Sequence, residues 1–302
     1  MPNIIKTEEY DAVACHVPPF SICKSVLEVS EKAGNIPFIF IVGDPIGFRD
    51  ENGGFTPEHK QLQQEIINKS SAFVTTRETY SRYYSKAFDI PLEKVVFFSD
   101  CYVEIDKSKP KNSSINTNSI MHWGSIAPWR PIDKFVKALD KFNQTNSHEK
   151  SLDFTIVGKV HDKQSRKELS NAYSQISYLD LIPYPQARLV AQTADFYMVS
   201  VSARHMDNIP SKLIDLMSFK RPILLLAHPE SEAAKEVSRL GIGFVADPDD
   251  DSMILNAIIN LILHKEYVLS RYEEIEISRC WSCLNVTYKF QRRLCNVLGW
   301  GD

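Results

Sequence analysis

Asp207-Asn208-Ile209-Pro210-Ser211-Lys212-Leu213-Ile214-Asp215-Leu216-Met217-Ser218-Phe219-Lys220-Arg221-Pro222 is the stretch from which the rest of the chain can be read. Pro210 suits the first turn of a helix, where a missing N–H is no loss and φ is already set. Leu213, Leu216 and Met217 recur at helical spacing and make an apolar stripe. Asp207, Ser211 and Asp215 are spaced by four, so a helix starting near Asp207 would carry them on one line, with Lys212 beside it. Pro222 forces an exit, and Ile223-Leu224-Leu225-Leu226 reads as a buried strand. A polar helix start beside a central strand suits an anionic, hydroxyl-rich ligand. Lys212 and Asp215 alone would equally serve as an ordinary surface pair.

Working outward, strand and helix patterns alternate on both sides. Strands are expected at 120–123, 154–157, 176–179, 196–199, 223–226 and 243–245, the third of them edge-like. Helices are expected at 132–142, 166–174, 184–193, 231–240 and 253–264. The first third repeats the rhythm, with strands at 11–16, 37–42, 72–76 and 95–99 and helices at 21–32, 57–69 and 80–88. Such alternation predicts parallel sheets with helices on both faces. Residues 106–119 break it with a polar, aperiodic run, Lys107-Ser108-Lys109-Pro110-Lys111-Asn112-Ser113-Ser114, the mark of a linker. The expected fold class is α/β with two Rossmann-like domains, 1–116 and 117–285, then a helix over 286–302 that returns to the first domain. Two such domains would leave a cleft, with Asp44, Ser125, Lys159 and Asp207 at carboxyl ends of strands.

Composition narrows the class. The 302 residues carry a formal net charge of −3, so there is no basic surface to favour nucleic acid. No apolar run approaches the ~18 residues of a membrane helix. The start, Met1-Pro2-Asn3-Ile4-Ile5-Lys6, lacks a signal pattern, which predicts a cytoplasmic protein. Six cysteines are scattered, and the one C-x-x-C, Cys280-Trp281-Ser282-Cys283, lacks the second pair or histidines of a zinc site. It reads as structural. No G-x-G-x-x-G follows any strand, which disfavours a dehydrogenase-like dinucleotide site.

The second domain resembles the donor-binding half of retaining glycosyltransferases of family 4, which have the GT-B fold. The resemblance rests on ordered pieces. They are Trp123-Gly124-Ser125-Ile126-Ala127-Pro128-Trp129-Arg130, then Phe154-Thr155-Ile156-Val157-Gly158, then Ala194-Asp195 before a strand. Ile209-Pro210-Ser211-Lys212-Leu213 with Asp215 and Arg221-Pro222-Ile223 follows, similar to the Pro-Ser-Lys variant of the family's paired-acid motif. Gly241-Ile242-Gly243-Phe244-Val245, Asp247-Pro248-Asp249 and Trp281 complete it. In the first domain Asp11-Ala12-Val13-Ala14-Cys15-His16 resembles the middle of the family's acceptor domain, and Ile41-Val42-Gly43-Asp44-Pro45 resembles a segment near the donor sugar. The family's preceding strands and glycine-rich loop have no counterpart, so the chain looks like an N-terminally shortened member.

The resemblance implies these roles. Asp215, an aspartate where glutamate is usual, would hold the ribose hydroxyls. Asp207, eight positions earlier, and Asp44 would be the catalytic-site residues near the donor sugar. Gly124, Ser125, Arg130, Lys159, Ser211 and Lys212 would bind the donor, Ser125 standing where the family has an arginine and the diphosphate charge being met by Arg130 with Lys212, or by Lys159. His16 would face the acceptor. Ordinary readings stand beside these: a strand-end histidine, a turn aspartate at Asp44, loop charges at Arg130 and Lys159. The expected reaction moves a sugar from a UDP- or GDP-sugar to a hydroxyl of a glycan or lipid-linked acceptor, with retention. It would need no metal and no cofactor beyond the donor, in polysaccharide or glycan biosynthesis. Peripheral contact with the inner face of a membrane is left open by family analogy. The rival expectation is an inactive nucleotide-sugar-binding remnant or partner subunit.

Overall fold

A computed structural model describes residues 10–17, 23–25, 27–28, 36–43, 56–76, 78–91, 94–103, 118–127, 132–146, 151–203, 206–274 and 280–300. The expected loop over 47–54 and nearly all of the linker lie outside these residues, as does most of the expected helix over 21–32. The chain divides into two compact units, Met1–Asp100 with Cys283–Asp302, and Cys101–Ser282. The sequence reading put the boundaries at 116/117 and 285/286.

The first unit holds a parallel sheet of β1 (Val13–Val17), β2 (Phe38–Val42), β3 (Ala72–Thr75) and β4 (Val95–Phe97), in that order. Successive side chains on a strand face opposite ways, so each strand feeds two cores. Phe38, Phe40, Phe73 and Val95 meet Ile66 of α1 (Pro57–Lys69) and Tyr80, Tyr84 and Phe88 of α2 (Glu78–Phe88). Thr56 caps α1 and Pro57 opens it, at the residue where the sequence places its start. The opposite face, Ile39, Ala72, Val74 and Val96, is packed by Phe290, Leu294, Val297 and Leu298 of the C-terminal helix α10 (Cys283–Leu298).

The second unit is a six-stranded parallel sheet. Its strands are β5 (Asn118–Trp123), β6 (Leu152–Val157), β7 (Ile176–Leu179), β8 (Phe196–Ser200), β9 (Ile223–Leu226) and β10 (Gly243–Ala246). The spatial order is β10-β9-β8-β5-β6-β7, with β7 at one edge. Counted from β5 this is the doubly wound order 3-2-1-4-5-6. One face packs α3 (Asp133–Thr145) and α8 (Asp251–Leu263) around Ile120, Phe154, Ile156, Phe196 and Met198. The other packs α5 (Tyr184–Ala191), α6 (Ser211–Met217), α7 (Glu232–Leu240) and α9 (Lys265–Glu274) around Met121, Tyr197, Val199, Ile223 and Leu225. Helix α4 (Lys163–Asn171), capped by Asp162, packs on the first of these faces through Leu169. Helix α9 escaped the sequence reading because Val268 and Tyr272 are its only fully buried apolar residues, too few to make a stripe.

One expectation about the opening stretch is overturned. Helix α6 begins at Ser211 with Pro210 as its cap, and residues 206–207 form a turn. Asp207 therefore lies outside the helix and does not share a line with Ser211 and Asp215. Proline drives the residue before it out of the helical region, so the helix cannot extend back through Ile209. The chain leaves α6 earlier than Pro222, through Lys220 at φ 54°.

Two features fix β6. Asn143, at the end of α3, donates through Nδ2 to Leu152 O and Ser174 Oγ, both at 2.9 Å, and its Oδ1 accepts from Leu152 N at 2.9 Å. Gly158, just after β6, has φ 143°, and a β-carbon there would stand 2.3 Å from the carbonyl oxygen of Gly124. Asn143→Ala is expected to lower stability by about 2–3 kcal/mol in urea unfolding, because buried backbone groups lose their partners. Gly158→Ala is expected to cost more than Gly124→Ala in thermal unfolding. At Gly158 the obstacle is backbone, whereas at Gly124 it is the movable end of a lysine.

Candidate functional site

In doubly wound sheets ligands sit outside the carboxyl ends of the strands where the order reverses. Here that point lies between β5 and β8. The segment after β5 is Gly124-Ser125, and the chain after β8 runs through the turn at 206–207 into α6.

Gly124 is buried, with φ 147°. Its amide donates to Val157 O at 2.8 Å, and Ile126 N donates to Lys159 O at 2.9 Å, so the ends of β5 and β6 are stitched together. Lys212 arrives from α6 into the space that Gly124 leaves. A β-carbon on Gly124 would be 2.4 Å from Lys212 Nζ and 3.1 Å from its Cδ. A half-buried ammonium is thereby seated over a strand end that has no side chain of its own.

One turn along α6, Asp215 is also half-buried. Its Oδ1 accepts a hydrogen bond from the Tyr184 hydroxyl at 3.1 Å and lies 3.9 Å from Arg188 Nη1. Arg188 Nη1 donates to the Tyr184 oxygen at 3.3 Å, and Nη2 donates to Val103 O at 3.1 Å. The guanidinium lies 5.3 Å from the Phe219 ring centre and 5.9 Å from that of Tyr184. Trp123 packs on both rings, at 5.6 Å from Tyr184 and 6.2 Å from Phe219. Partial burial raises the Tyr184 phenol above its ordinary range; the Arg188 hydrogen bond opposes this and the charge of Asp215 adds to it.

The structure thus brings together Gly124, Lys212 and the neighbouring Asp215. Ser125 is half-buried next to Gly124, and Ser211 is exposed at the first position of α6. Asp207 is half-buried in its turn, where Met206 O accepts from Glu232 N at 2.8 Å. Lys159 and His161 are exposed, with the Lys159 carbonyl used in the strand-end stitching. His16 is exposed on β1 of the first unit. Asp44, Arg130, Trp129 and His205 lie outside the described residues.

Tyr184 and Arg188 were missed by the sequence reading. Their signal was present as an i, i+4 pair on an expected helix, opening after Pro183. Nothing in sequence ties that pair to Asp215, 31 residues away from Tyr184. Asp195, which the family pattern also marks, sits at the opposite end of the sheet. There it accepts from Ser119 and Lys265 and fastens β5, β8 and α9.

Chemically, the arrangement offers a cation over bare backbone, a carboxylate and a phenol. The first suits a diphosphate and the other two suit vicinal hydroxyls. Among the described residues no group of three or more His, Cys, Asp or Glu side chains is placed to hold a metal ion, and no helix is long and apolar enough to cross a membrane.

No protein-family model matches the chain, and no curated protein matches it by sequence. Solved structures do. The HepE protein of Anabaena, solved with UDP, is 13% identical with a TM-score of 0.71 over 97% of this chain and 81% of its own. A glycosyltransferase from Rickettsia africae is 13% identical with a TM-score of 0.72, covering 98% and 79%. TarM is 15% identical with a TM-score of 0.68; the match covers 97% of this chain but only 57% of TarM's length. What these structures share with this chain is architecture: two α/β units with parallel sheets, the GT-B fold.

Proposed function

We propose that this chain is a glycosyltransferase that takes a sugar from a nucleoside-diphosphate sugar, and that the donor binds at the carboxyl ends of β5 and β8. The observation that carries the reading is the seating of Lys212 against Gly124, one helical turn from Asp215, at the reversal point of the sheet. Solved structures of the same fold include complexes with UDP, among them HepE and a pneumococcal O-GlcNAc transferase, which supports a nucleoside-diphosphate ligand.

In this reading the ammonium of Lys212 faces the diphosphate. Negative charge grows on that group as the glycosidic bond breaks, and a pre-placed cation stabilises it without rearrangement. Gly124 lets the phosphates approach the backbone, and Ser125 and Ser211 supply hydroxyl donors nearby. Asp215 accepts hydrogen bonds from the ribose. Arg130 and Lys159 supply further positive charge, Asp207 and Asp44 attend the donor sugar, and His16 lies on the acceptor side. The acceptor is a hydroxyl of a glycan or lipid-linked molecule, the anomeric configuration is retained, and no metal is required. The chain falls, in this reading, among the family 4 enzymes with the Pro-Ser-Lys variant of the acidic motif.

The test is calorimetric titration of the full chain with UDP and GDP, followed by assay of sugar release from the matching donors. Lys212→Ala is expected to weaken diphosphate binding about ten- to hundredfold, the effect of losing a charged hydrogen-bond partner. Asp215→Ala is expected to weaken it about tenfold. Binding that neither substitution alters would refute the site.

A further inference from the structure

We infer that Tyr184 is a second ribose-recognising group, acting jointly with Asp215, and that Arg188 is the positioning residue that orients both. This rests on the donor site proposed above and extends it to residues that the sequence resemblance does not reach.

The starting point is length. Aspartate is one methylene shorter than glutamate, so the carboxylate of Asp215 is set back by a C–C bond of about 1.5 Å. What stands beside it is the Tyr184 hydroxyl, 3.1 Å from Oδ1, on a residue that is 52% exposed. Tyr184 is thus the more exposed residue of the pair; the Asp215 side chain is 20% exposed.

The hydrogen-bond capacity of the phenol fits the role. A tyrosine hydroxyl has one proton and two lone pairs. The proton goes to Asp215 Oδ1, and one lone pair accepts from Arg188 Nη1 at 3.3 Å. The second lone pair is left to accept from a ligand hydroxyl. The carboxylate can also take such bonds, since each of its oxygens accepts more than one. A vicinal diol offers two donors and would find two acceptors side by side.

Pre-organisation is visible as well. The Tyr184 ring is held by Trp123 at 5.6 Å and by the Arg188 guanidinium at 5.9 Å. Arg188 itself is only 15% exposed and is anchored on Val103 O and over Phe219. It lies 3.9 Å from Asp215 Oδ1, and its hydrogen bond to the Tyr184 oxygen fixes which way the phenol proton points. Trp123 immediately precedes Gly124, so the strand end that seats Lys212 also braces Tyr184. The cation for the phosphates and the acceptors for the sugar hydroxyls thus meet two consecutive residues, the last of β5 and the glycine that follows it.

The experiment compares UDP and GDP with their 2′-deoxy and 3′-deoxy forms by calorimetry on the full chain. The native chain is expected to prefer a ribonucleotide over at least one deoxy form by about tenfold or more. Tyr184→Phe keeps the ring and its packing. It is expected to weaken ribonucleotide binding about five- to tenfold while leaving one deoxy form unchanged, so that the preference collapses. Arg188→Gln is expected to reduce the same preference, and Arg188→Lys to restore part of it. Thermal unfolding of each variant checks that the fold is kept. An undiminished preference in Tyr184→Phe would overturn the assignment of the phenol. Equal binding of ribo and deoxy forms by the native chain would overturn the joint diol site and leave the phosphate site standing. Failure of the native chain to bind either nucleotide would overturn the donor-site reading itself, and this inference with it.

Discussion

The carbonyl of Gly124 occupies the space where a β-carbon at Gly158 would be, and Lys212 occupies the space where a β-carbon at Gly124 would be. This double absence of side chains is the constraint on which the candidate site depends. With any larger residue at either position, the ends of β5 and β6 would separate or the lysine would be displaced. Because the strand ends stay close, α6 can bring an ammonium to the backbone, and Trp123 can reach the rings of Tyr184 and Phe219. The polar cluster of Tyr184, Arg188 and Asp215 then closes over the same strand end. Packing comes first here, and the chemistry is placed by it.

Electrostatics within the cluster follow a simple order. Arg188 contacts two rings, a carbonyl, a phenol and a carboxylate, and this leaves it little freedom to serve a ligand directly. Its worth lies in fixing neighbours. Lys212 is a different case, a long flexible side chain whose ammonium is seated where a β-carbon on Gly124 would stand. Two cations of equal charge, on neighbouring helices, are thereby given different work by what surrounds them.

The fold was legible in the sequence because continuous apolar runs such as Phe196–Val199 and Ile223–Leu226 alternate with striped helices, a pattern with few physical solutions. The helix over 57–69 and the edge strand over 176–179 match residue for residue. Half of the site was legible too, since Lys212 and Asp215 share one short segment. The Tyr184–Asp215 bond was not, because it depends on how α5 and α6 lie on one sheet face, which spacing along the chain does not encode. The placement of Asp207 on a helix failed for a local reason: a pattern of fours is silent about where a proline stops a helix from extending backwards.

Helix α10 closes the second face of the first unit's sheet, yet it is separated from β4 by the whole of the second unit. Tyr102 and Ser282, near the two ends of that second unit, are paired by a backbone bridge, with Tyr102 N donating to Trp281 O at 2.9 Å. During synthesis the second unit is therefore complete in one continuous piece before α10 emerges. The first unit, begun earlier, must wait with Ile39, Ala72, Val74 and Val96 uncovered by that helix. Of the two units, the one begun earlier is thus the one finished later, and a chain released after residue 282 would leave one complete unit and one open apolar sheet face.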